Sequence, residues 1–269
     1  MLKSLTAVSM LLAATLAVAA QPAPSPEVVK DLAPTGKLRA AINFGNSVLA
    51  QKAQDGSPAG ISADLSHELA KRLNVPVEFV TFDAAGKVFE AAAQGLWDIG
   101  FVAIEPVRAQ SIEFTAPYVI IEGTYMVKKD SPLKEVADVD KPGIRIAVGL
   151  GSAYDLYLTR TIKNATIVRA QTGGGKAMIE MWLNDKLEAA AGVRQQLEAY
   201  AKDHADVRIM SGAFQQIQQA MGMPKKAGVP KAAGAAYLKA FVEEMKASGF
   251  IADGLKRSNQ VAVVAPPAK

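Results

Sequence analysis

Two series of alternating strand and helix patterns constrain the fold of this chain more than any other feature of its sequence. In the first series, predicted strands at 38–42, 77–82 and 97–104 alternate with helices that begin at Ser62 and Ala84. The largely apolar run at 97–104 is typical of a strand buried on both faces. This order predicts a parallel sheet covered by helices, so the fold class is α/β.

The second series repeats the same order without a repeat at the level of individual residues. Its predicted strands and helices are 144–148, 152–161, 166–169, 176–185, 188–193, a helix from about Gln195, and 207–210. An amphipathic helix at 231–248 follows and must dock on one of the sheets. Two such lobes leave a cleft, and ligand sites favour domain interfaces and the carboxyl ends of parallel strands. We therefore expect the functional site between the lobes.

The first 20 residues have the pattern of a secretory signal peptide. Lys3 precedes an apolar stretch at 5–18, and Ala17-Val18-Ala19 is a small-x-small cleavage site, which predicts cleavage near Ala19 or Ala20. A membrane anchor is the alternative, but the stretch is shorter than the roughly 20 apolar residues that a span needs. With no cysteine in the chain, disulfides and thiolate sites are excluded, and we expect a soluble periplasmic protein.

Composition excludes several functional classes. Half of the 269 residues are apolar, and the 30 Lys and Arg exceed the 26 Asp and Glu by only four, scattered along the chain, so no nucleic-acid partner is expected. His67 and His204 are far apart in sequence, so we expect no metal site and no cofactor. The segments 21–35 and 259–269 are predicted to be a flexible leader and tail.

Arg108 is the leading candidate for ligand binding. It follows a predicted buried strand, after Glu105-Pro106, where a guanidinium can hold a carboxylate through two charge-assisted hydrogen bonds. The alternative is a solvated arginine at a helix start that pairs with Glu105 or Glu113. Asn43 and Phe44, which follow the first strand, are also expected to face the cleft.

A glycine turn follows the first strand of the second series. In Gly149-Leu150-Gly151-Ser152, glycine lets the backbone approach a ligand, and the amides of Gly151, Ser152 and Ala153 open a helix whose start favours an anion. The alternative is a plain turn with Ser152 as the helix N-cap. The glycine run at 173–175 is a looser candidate for the cleft wall.

Several motifs in order resemble one family. GISADL at 60–65, GLWD at 95–98, and Arg108 followed by FTAPY at 114–118 are similar to motifs of periplasmic solute-binding proteins of ABC importers, in the amino-acid-binding branch, known as family 3. The glycine turn at 149–152 matches as well. The resemblance extends from about Gly36 to Gly254.

The resemblance implies a two-lobed periplasmic binding protein fold of type II. Lobe 1 would comprise 36–125 and 220–258, lobe 2 would comprise 126–219, and crossovers would lie near 125–129 and 215–221. In the family the arginine corresponding to Arg108 binds a ligand carboxylate. The implied partners are a small carboxylate ligand, such as an amino acid or an analogue, and an inner-membrane ABC permease; we expect a monomer.

The departures from the family pattern concern the ligand's amine. Many amino-acid binders carry an aspartate after a lobe 2 strand, where this chain has Gly192-Val193-Arg194. Ala103 and Glu105 also stand where hydroxyl residues are common. Glu105 could replace the missing acceptor, or the ligand could lack an ammonium group. Tyr118 is a further possible wall residue.

Two functions remain open from sequence. The first is a non-catalytic protein that binds a small carboxylate and delivers it to a permease. The second, suggested by a broad similarity to periplasmic cyclohexadienyl dehydratases, is an enzyme that removes water and carboxylate from a prephenate-like ring, with Glu105 and Glu122 as candidate acids. Incubation with prephenate distinguishes the two.

Overall fold

A computed structural model describes residues 23–172, 174–225 and 231–269, so the signal peptide predicted at 1–20 lies outside the described residues. The helices are α1 (Pro26–Leu32), α2 (Ile61–Leu73), α3 (Ala85–Ala93), α4 (Pro106–Ala109), α5 (Ala153–Thr161), α6 (Gly174–Asn184), α7 (Arg194–Lys202), α8 (Ala232–Ala247) and α9 (Phe250–Arg257). The strands are β1 (Leu38–Asn43), β2 (Gln51–Lys52), β3 (Pro58–Ala59), β4 (Val77–Phe82), β5 (Ile99–Ala103), β6 (Ile112–Lys128), β7 (Arg145–Gly149), β8 (Thr166–Ala170), β9 (Ala189–Val193), β10 (Val207–Ile209), β11 (Gln215–Pro224) and β12 (Val263–Val264).

The main sheet has the order β4-β1-β5-β11-β6-β9-β7-β8. Three parallel strands lie at each end, and two long antiparallel strands, β11 and β6, lie between them. We call the half with β4-β1-β5 lobe 1 and the half with β9-β7-β8 lobe 2. Every residue of β5 and of β9 is buried, as expected for parallel strands covered on both faces. The α/β prediction is therefore confirmed.

Two chain segments connect the lobes. Strand β6 pairs with β11 as far as Gly123 and then with β9 from Gly123 onward. Strand β11 begins at Gln215, opposite Gly123, and brings the chain back to lobe 1 beside β5. The change of partner at Gly123 lies close to the predicted crossovers, while the residue boundaries predicted for the lobes stay predictions.

Each lobe has an ion pair between an arginine and a carboxylate at the amino ends of its central strands. Arg39 on β1 contacts Asp98 with Nη2 2.7 Å from Oδ1, and its Nη1 donates to the carbonyl of Gly95. Arg145 on β7 contacts Glu188 with Nη2 2.8 Å from Oε1 and also donates to a backbone carbonyl just before that acid. The aspartate of the GLWD motif therefore stabilises the scaffold, and it lies at the opposite end of the strand from Arg108.

The leader and the tail differ from the prediction of flexible segments. Ser25 caps helix α1 by accepting a bond from Val28 N, and Leu32 is fully buried against the core. Strand β12 pairs with β6, and the amide of Ala265 donates to the carbonyl of Tyr118 at 3.0 Å. The cap, the buried apolar positions and the strand pairing therefore give both segments contacts with the rest of the fold. Within the described ranges, no helix combines the length and apolarity that a membrane span requires.

Candidate functional site

The carboxyl ends of the parallel strands of the two lobes face each other across a cleft, and the lobes touch there through glycines. A Cβ atom on Gly151 would lie 2.9 Å from the Cα of Gly86, and one on Gly174 would lie 2.8 Å from the Cα of Gly45. Both Gly151 and Gly174 have positive φ angles, +69° and +57°. Larger residues would hold the lobes apart, so the structure represents a closed arrangement. Gly173, also named from sequence, lies outside the described residues.

A small cavity of about 40 Å³ lies between the lobes. Its lining combines small apolar residues with polar side chains and includes residues of both lobes. The lining residues are Asn43, Gly45, Asn46, Ala84, Ala85, Val102, Ala103, Arg108, Gly149, Leu150, Ser152, Ala153, Tyr154, Gly174, Val193, Gln196, Ile217 and Gln219.

Arg108 is positioned by the short helix α4, which begins at Pro106 directly after β5. Its guanidinium donates from Nη1 to the carbonyl of Ala103 at 3.0 Å and from Nη2 to the carbonyl of Gly151, in the other lobe, at 2.7 Å. The side chain is fully buried, and its Nε has no partner among the described residues. Burial lowers the pKa of Arg108 to about 10, which still leaves it positively charged at neutral pH.

Glu105 does not line the cavity. Its Oε2 lies 2.7 Å from Arg160 Nη1 in lobe 2, and its Oε1 accepts a hydrogen bond of 2.9 Å from Gln215 Nε2. The carboxylate is buried beside Tyr157 and Phe214 and is absent from the described lining of the cavity. The prediction that Glu105 replaces a missing ammonium acceptor is therefore not supported by its position.

Of the three backbone amides predicted to bind an anion at the start of helix α5, two already donate hydrogen bonds within lobe 2. The amide of Gly151 donates to Asp155 Oδ2 at 2.8 Å, and the amide of Ser152 donates to the carbonyl of Gly149 at 3.1 Å. Ser152 is also the N-cap, because its Oγ accepts from the amide of Asp155. Ser152 and Ala153 line the cavity, which leaves the Ala153 amide as the candidate among the three for an anionic group.

Two asparagines after β1 orient their side chains through their own backbone. Asn43 Oδ1 accepts from the amide of Gly45 at 3.0 Å, and Asn46 Oδ1 accepts from the amide of Val48 at 3.2 Å. Because each amide oxygen is engaged, the NH₂ group of each side chain is the part left to donate to a ligand. Phe44, predicted with Asn43, lines the neighbouring cavity at the cleft rim.

Comparisons with known proteins agree with the architecture. The family model for bacterial extracellular solute-binding proteins, family 3, matches residues 45–257. The chain belongs to this family. Over 117 aligned residues it is 26% identical to the amino-acid-binding protein AabA of Dichelobacter nodosus. The aligned region covers 42% of this chain and 45% of that relative. The matched region therefore spans less than half of that protein.

Solved structures of solute-binding proteins share the two-lobed fold. The cysteine-binding protein of Campylobacter jejuni is 17% identical and covers 88% of this chain and 99% of its own, with a TM-score of 0.73. An ancestral amino-acid-binding protein, described as a precursor of cyclohexadienyl dehydratase, is 24% identical and covers 85% of this chain and 97% of its own, with a TM-score of 0.68.

Tyr118 lies in the core of this solute-binding protein and is absent from the described cavity lining. It is fully buried, and its ring packs edge-on against Phe101 with centroids 6.2 Å apart. The FTAPY motif lies in the first part of β6, where the strand pairs with β11 in lobe 1. Sequence reasoning misjudged Tyr118 because alternation along β6 does not reveal which face meets the cleft.

Four polar lining residues were not predicted from sequence. Asn46 lies three residues after Asn43, and Gln219 lies on β11 directly opposite Ala103. Gln196, in the first turn of α7, donates from Nε2 to the carbonyl of Gly45 in lobe 1 at 3.1 Å. Tyr154 follows Ala153 on α5. Of these, Asn46 and Gln196 carried a sequence signal, since each lies three residues after the carboxyl end of a parallel strand, β1 or β9.

Proposed function

We propose that this solute-binding protein captures an amino acid or a related small carboxylate in the periplasm and delivers it to the permease of an ABC importer. The lobes open and close around the ligand, with β6 and β11 as the two connections. The family membership and the ligand-binding relatives support this role. We propose that the protein acts as a monomer.

One observation carries the proposal: Arg108 is a fully buried cation that faces the cavity and has no carboxylate within ion-pair distance among the described residues. Glu105 attracts it at longer range, but that carboxylate is itself paired with Arg160. A buried charge without a direct counter-ion is unfavourable, because the protein interior replaces only part of its lost hydration. A ligand carboxylate would compensate this charge through the unpartnered Nε and the remaining guanidinium hydrogens. Arg108 therefore favours an anionic ligand.

We propose that the protein is not a dehydratase. The two acids on which that chemistry would depend are engaged outside the described cavity lining: Glu105 with Arg160, and Glu122 with Arg194, whose Nε lies 2.6 Å from Glu122 Oε2. A general acid must lie within hydrogen-bond reach of the group that it protonates. Incubation with prephenate should therefore yield no phenylpyruvate, and its formation would contradict this part of the proposal.

Calorimetric titration with a panel of amino acids, 2-oxo acids and 2-hydroxy acids tests the binding role directly. We expect at least one small carboxylate to bind to the wild-type protein and to raise its melting temperature. Absence of binding across the whole panel would contradict the proposed function.

A further inference from the structure

We infer that the ligand is a carboxylate without an ammonium group, such as a 2-hydroxy or 2-oxo acid. This inference rests on the proposed function and narrows its ligand class. It depends on the charge balance of the cavity, on how the surrounding acids are engaged, and on the polar groups that face the cavity.

The described cavity lining carries a net charge of +1, because Arg108 is its one charged residue. A bound monocarboxylate would bring the closed cavity to neutrality. A zwitterionic amino acid adds no net charge. Glu105 attracts Arg108 from outside the lining but is paired with Arg160, so Arg108, Glu105 and Arg160 together would keep one positive charge beside the closed cavity. The ligand's ammonium group would also lie near the guanidinium, which raises the cost of closure further.

Two of the acids nearest to the cavity are engaged elsewhere, and a third is exposed to solvent. Glu105 contacts Arg160, and Asp155 accepts from the amide of Gly151 and lies 2.9 Å from Arg169 Nε. Asp83, at the carboxyl end of β4, is exposed to solvent and is absent from the described lining. None of these carboxylates is placed to receive a ligand ammonium without breaking an existing contact or moving into the cavity.

The polar groups that face the cavity suit an uncharged oxygen beside the carboxylate. The NH₂ groups of Asn43 and Asn46 can donate to a hydroxyl or carbonyl oxygen. The amide of Gln219 lines the same space and offers both a donor and an acceptor.

The small cavity holds only the part of a ligand around its carboxylate. A volume of about 40 Å³ is only a few times the roughly 10–15 Å³ that one water molecule requires. A larger space of about 420 Å³ shares Gly45 and Gln196 with its lining. The cavity therefore suits the carboxylate and the oxygen beside it, and the rest of a longer acid would extend toward the larger space.

Calorimetry with alanine, lactate and pyruvate, which share one carbon skeleton, tests the inference on the wild-type protein. We expect lactate or pyruvate to bind at least about tenfold more tightly than alanine, with a matching rise in melting temperature. The same ranking should hold for other amino acids beside their 2-oxo and 2-hydroxy counterparts. Amino acids that bind as tightly as their counterparts would overturn the inference while leaving the proposed function intact. Failure of every small carboxylate would overturn both.

Val193 offers a matched pair of variants, because it lines the cavity and precedes α7 as its N-cap. Val193→Asp adds a carboxylate to the wall, and Val193→Asn adds a side chain of similar shape without the charge. We expect the aspartate variant, compared with the asparagine variant, to shift the preference toward amino acids by about tenfold. An unchanged preference in a folded aspartate variant would contradict the charge argument.

Discussion

The two lobes are alike at the amino ends of their central strands and differ at the carboxyl ends. At the amino ends, Arg39 pairs with Asp98 in lobe 1, and Arg145 pairs with Glu188 in lobe 2. In both lobes the arginine also donates to a backbone carbonyl that precedes the acid by two or three residues, that of Gly95 or Lys186. This end of each lobe is scaffold, built twice by the same device.

At the carboxyl ends the lobes make unlike contributions to the cavity. Lobe 1 supplies Arg108 together with Asn43 and Asn46, whereas lobe 2 supplies Ala153 and Val193 among mostly small or apolar residues. All the charge that faces the ligand therefore comes from one lobe. The comparison indicates that lobe 1 sets the ligand's charge and that lobe 2 closes over it through backbone and glycine contacts.

The largest expected effect comes from removing the charge that distinguishes lobe 1. Arg108→Met should weaken carboxylate binding by about 2–5 kcal/mol, because a buried charged contact is lost. The ligand-free variant should melt near the wild-type temperature, because the loss of two hydrogen bonds to backbone carbonyls offsets the removal of a charge whose burial is unfavourable and lowers its pKa to about 10. Calorimetry and thermal melting measure both quantities. A variant that binds normally, or that unfolds at a much lower temperature, would show that Arg108 is structural.

The next largest effect should come from the scaffold pairs, which are similar in geometry and differ in burial. Asp98 is 2% exposed and Glu188 is 33% exposed. Asp98→Ala should reduce the free energy of unfolding by about 3 kcal/mol, because a half-buried arginine loses its partner. Glu188→Ala should cost about 1 kcal/mol or less, because its pair is solvated. Chemical denaturation measures the free energy of unfolding of both variants. Equal losses would contradict the explanation that burial decides the contribution of each ion pair. Ligand affinity should be unchanged in folded protein.

A smaller effect is expected where lobe 2 closes on lobe 1. Gly151→Ala introduces a Cβ 2.9 Å from the Cα of Gly86, so closure should be hindered and ligand affinity should fall by about 1–2 kcal/mol. Gly143→Ala is the matched control, because Gly143 also has a positive φ, +85°, and its Cβ would meet nothing within 4 Å. Both variants carry backbone strain, but only Gly151→Ala should change ligand affinity. Similar affinities would argue that the glycine contact does not limit closure.

The smallest effect should come from the ion pair that joins the lobes outside the cavity. Arg160→Gln removes the partner of Glu105, and since Arg160 is 43% exposed, we expect a loss of about 0–1 kcal/mol in ligand affinity. Because the pair forms across the cleft, small-angle scattering should show a slight opening of the ligand-free protein. A loss as large as that of Arg108→Met would mean that Glu105 acts on the ligand.

Much of the fold could be predicted from local patterns. Leu65, Leu69 and Leu73 are buried on α2, as their spacing along a helix indicates, and the apolar run before Arg108 forms β5. Arg108 lines the cavity because the chain turns at Pro106, directly after a strand whose carboxyl end meets the cleft. Such positions follow from the order of elements alone.

The direction of individual side chains could not be predicted in the same way. Glu105 is three residues before Arg108, yet it faces away from the cavity because Arg160, on a helix of the other lobe, binds it there. Gln219 reaches the cavity through the register of β11 against Ala103. Both depend on contacts between segments that are distant in sequence, which local patterns do not specify.

The central claim is that Arg108 holds the carboxylate of a ligand that carries no ammonium group. Native mass spectrometry of protein purified without dialysis, followed by exact-mass analysis of the released ligand, tests this claim most directly. We expect the wild-type protein to retain a small acid whose elemental composition contains no nitrogen, and we expect Arg108→Met to retain none. An amino acid bound to the wild-type protein, or the same ligand bound equally by Arg108→Met, would contradict the claim.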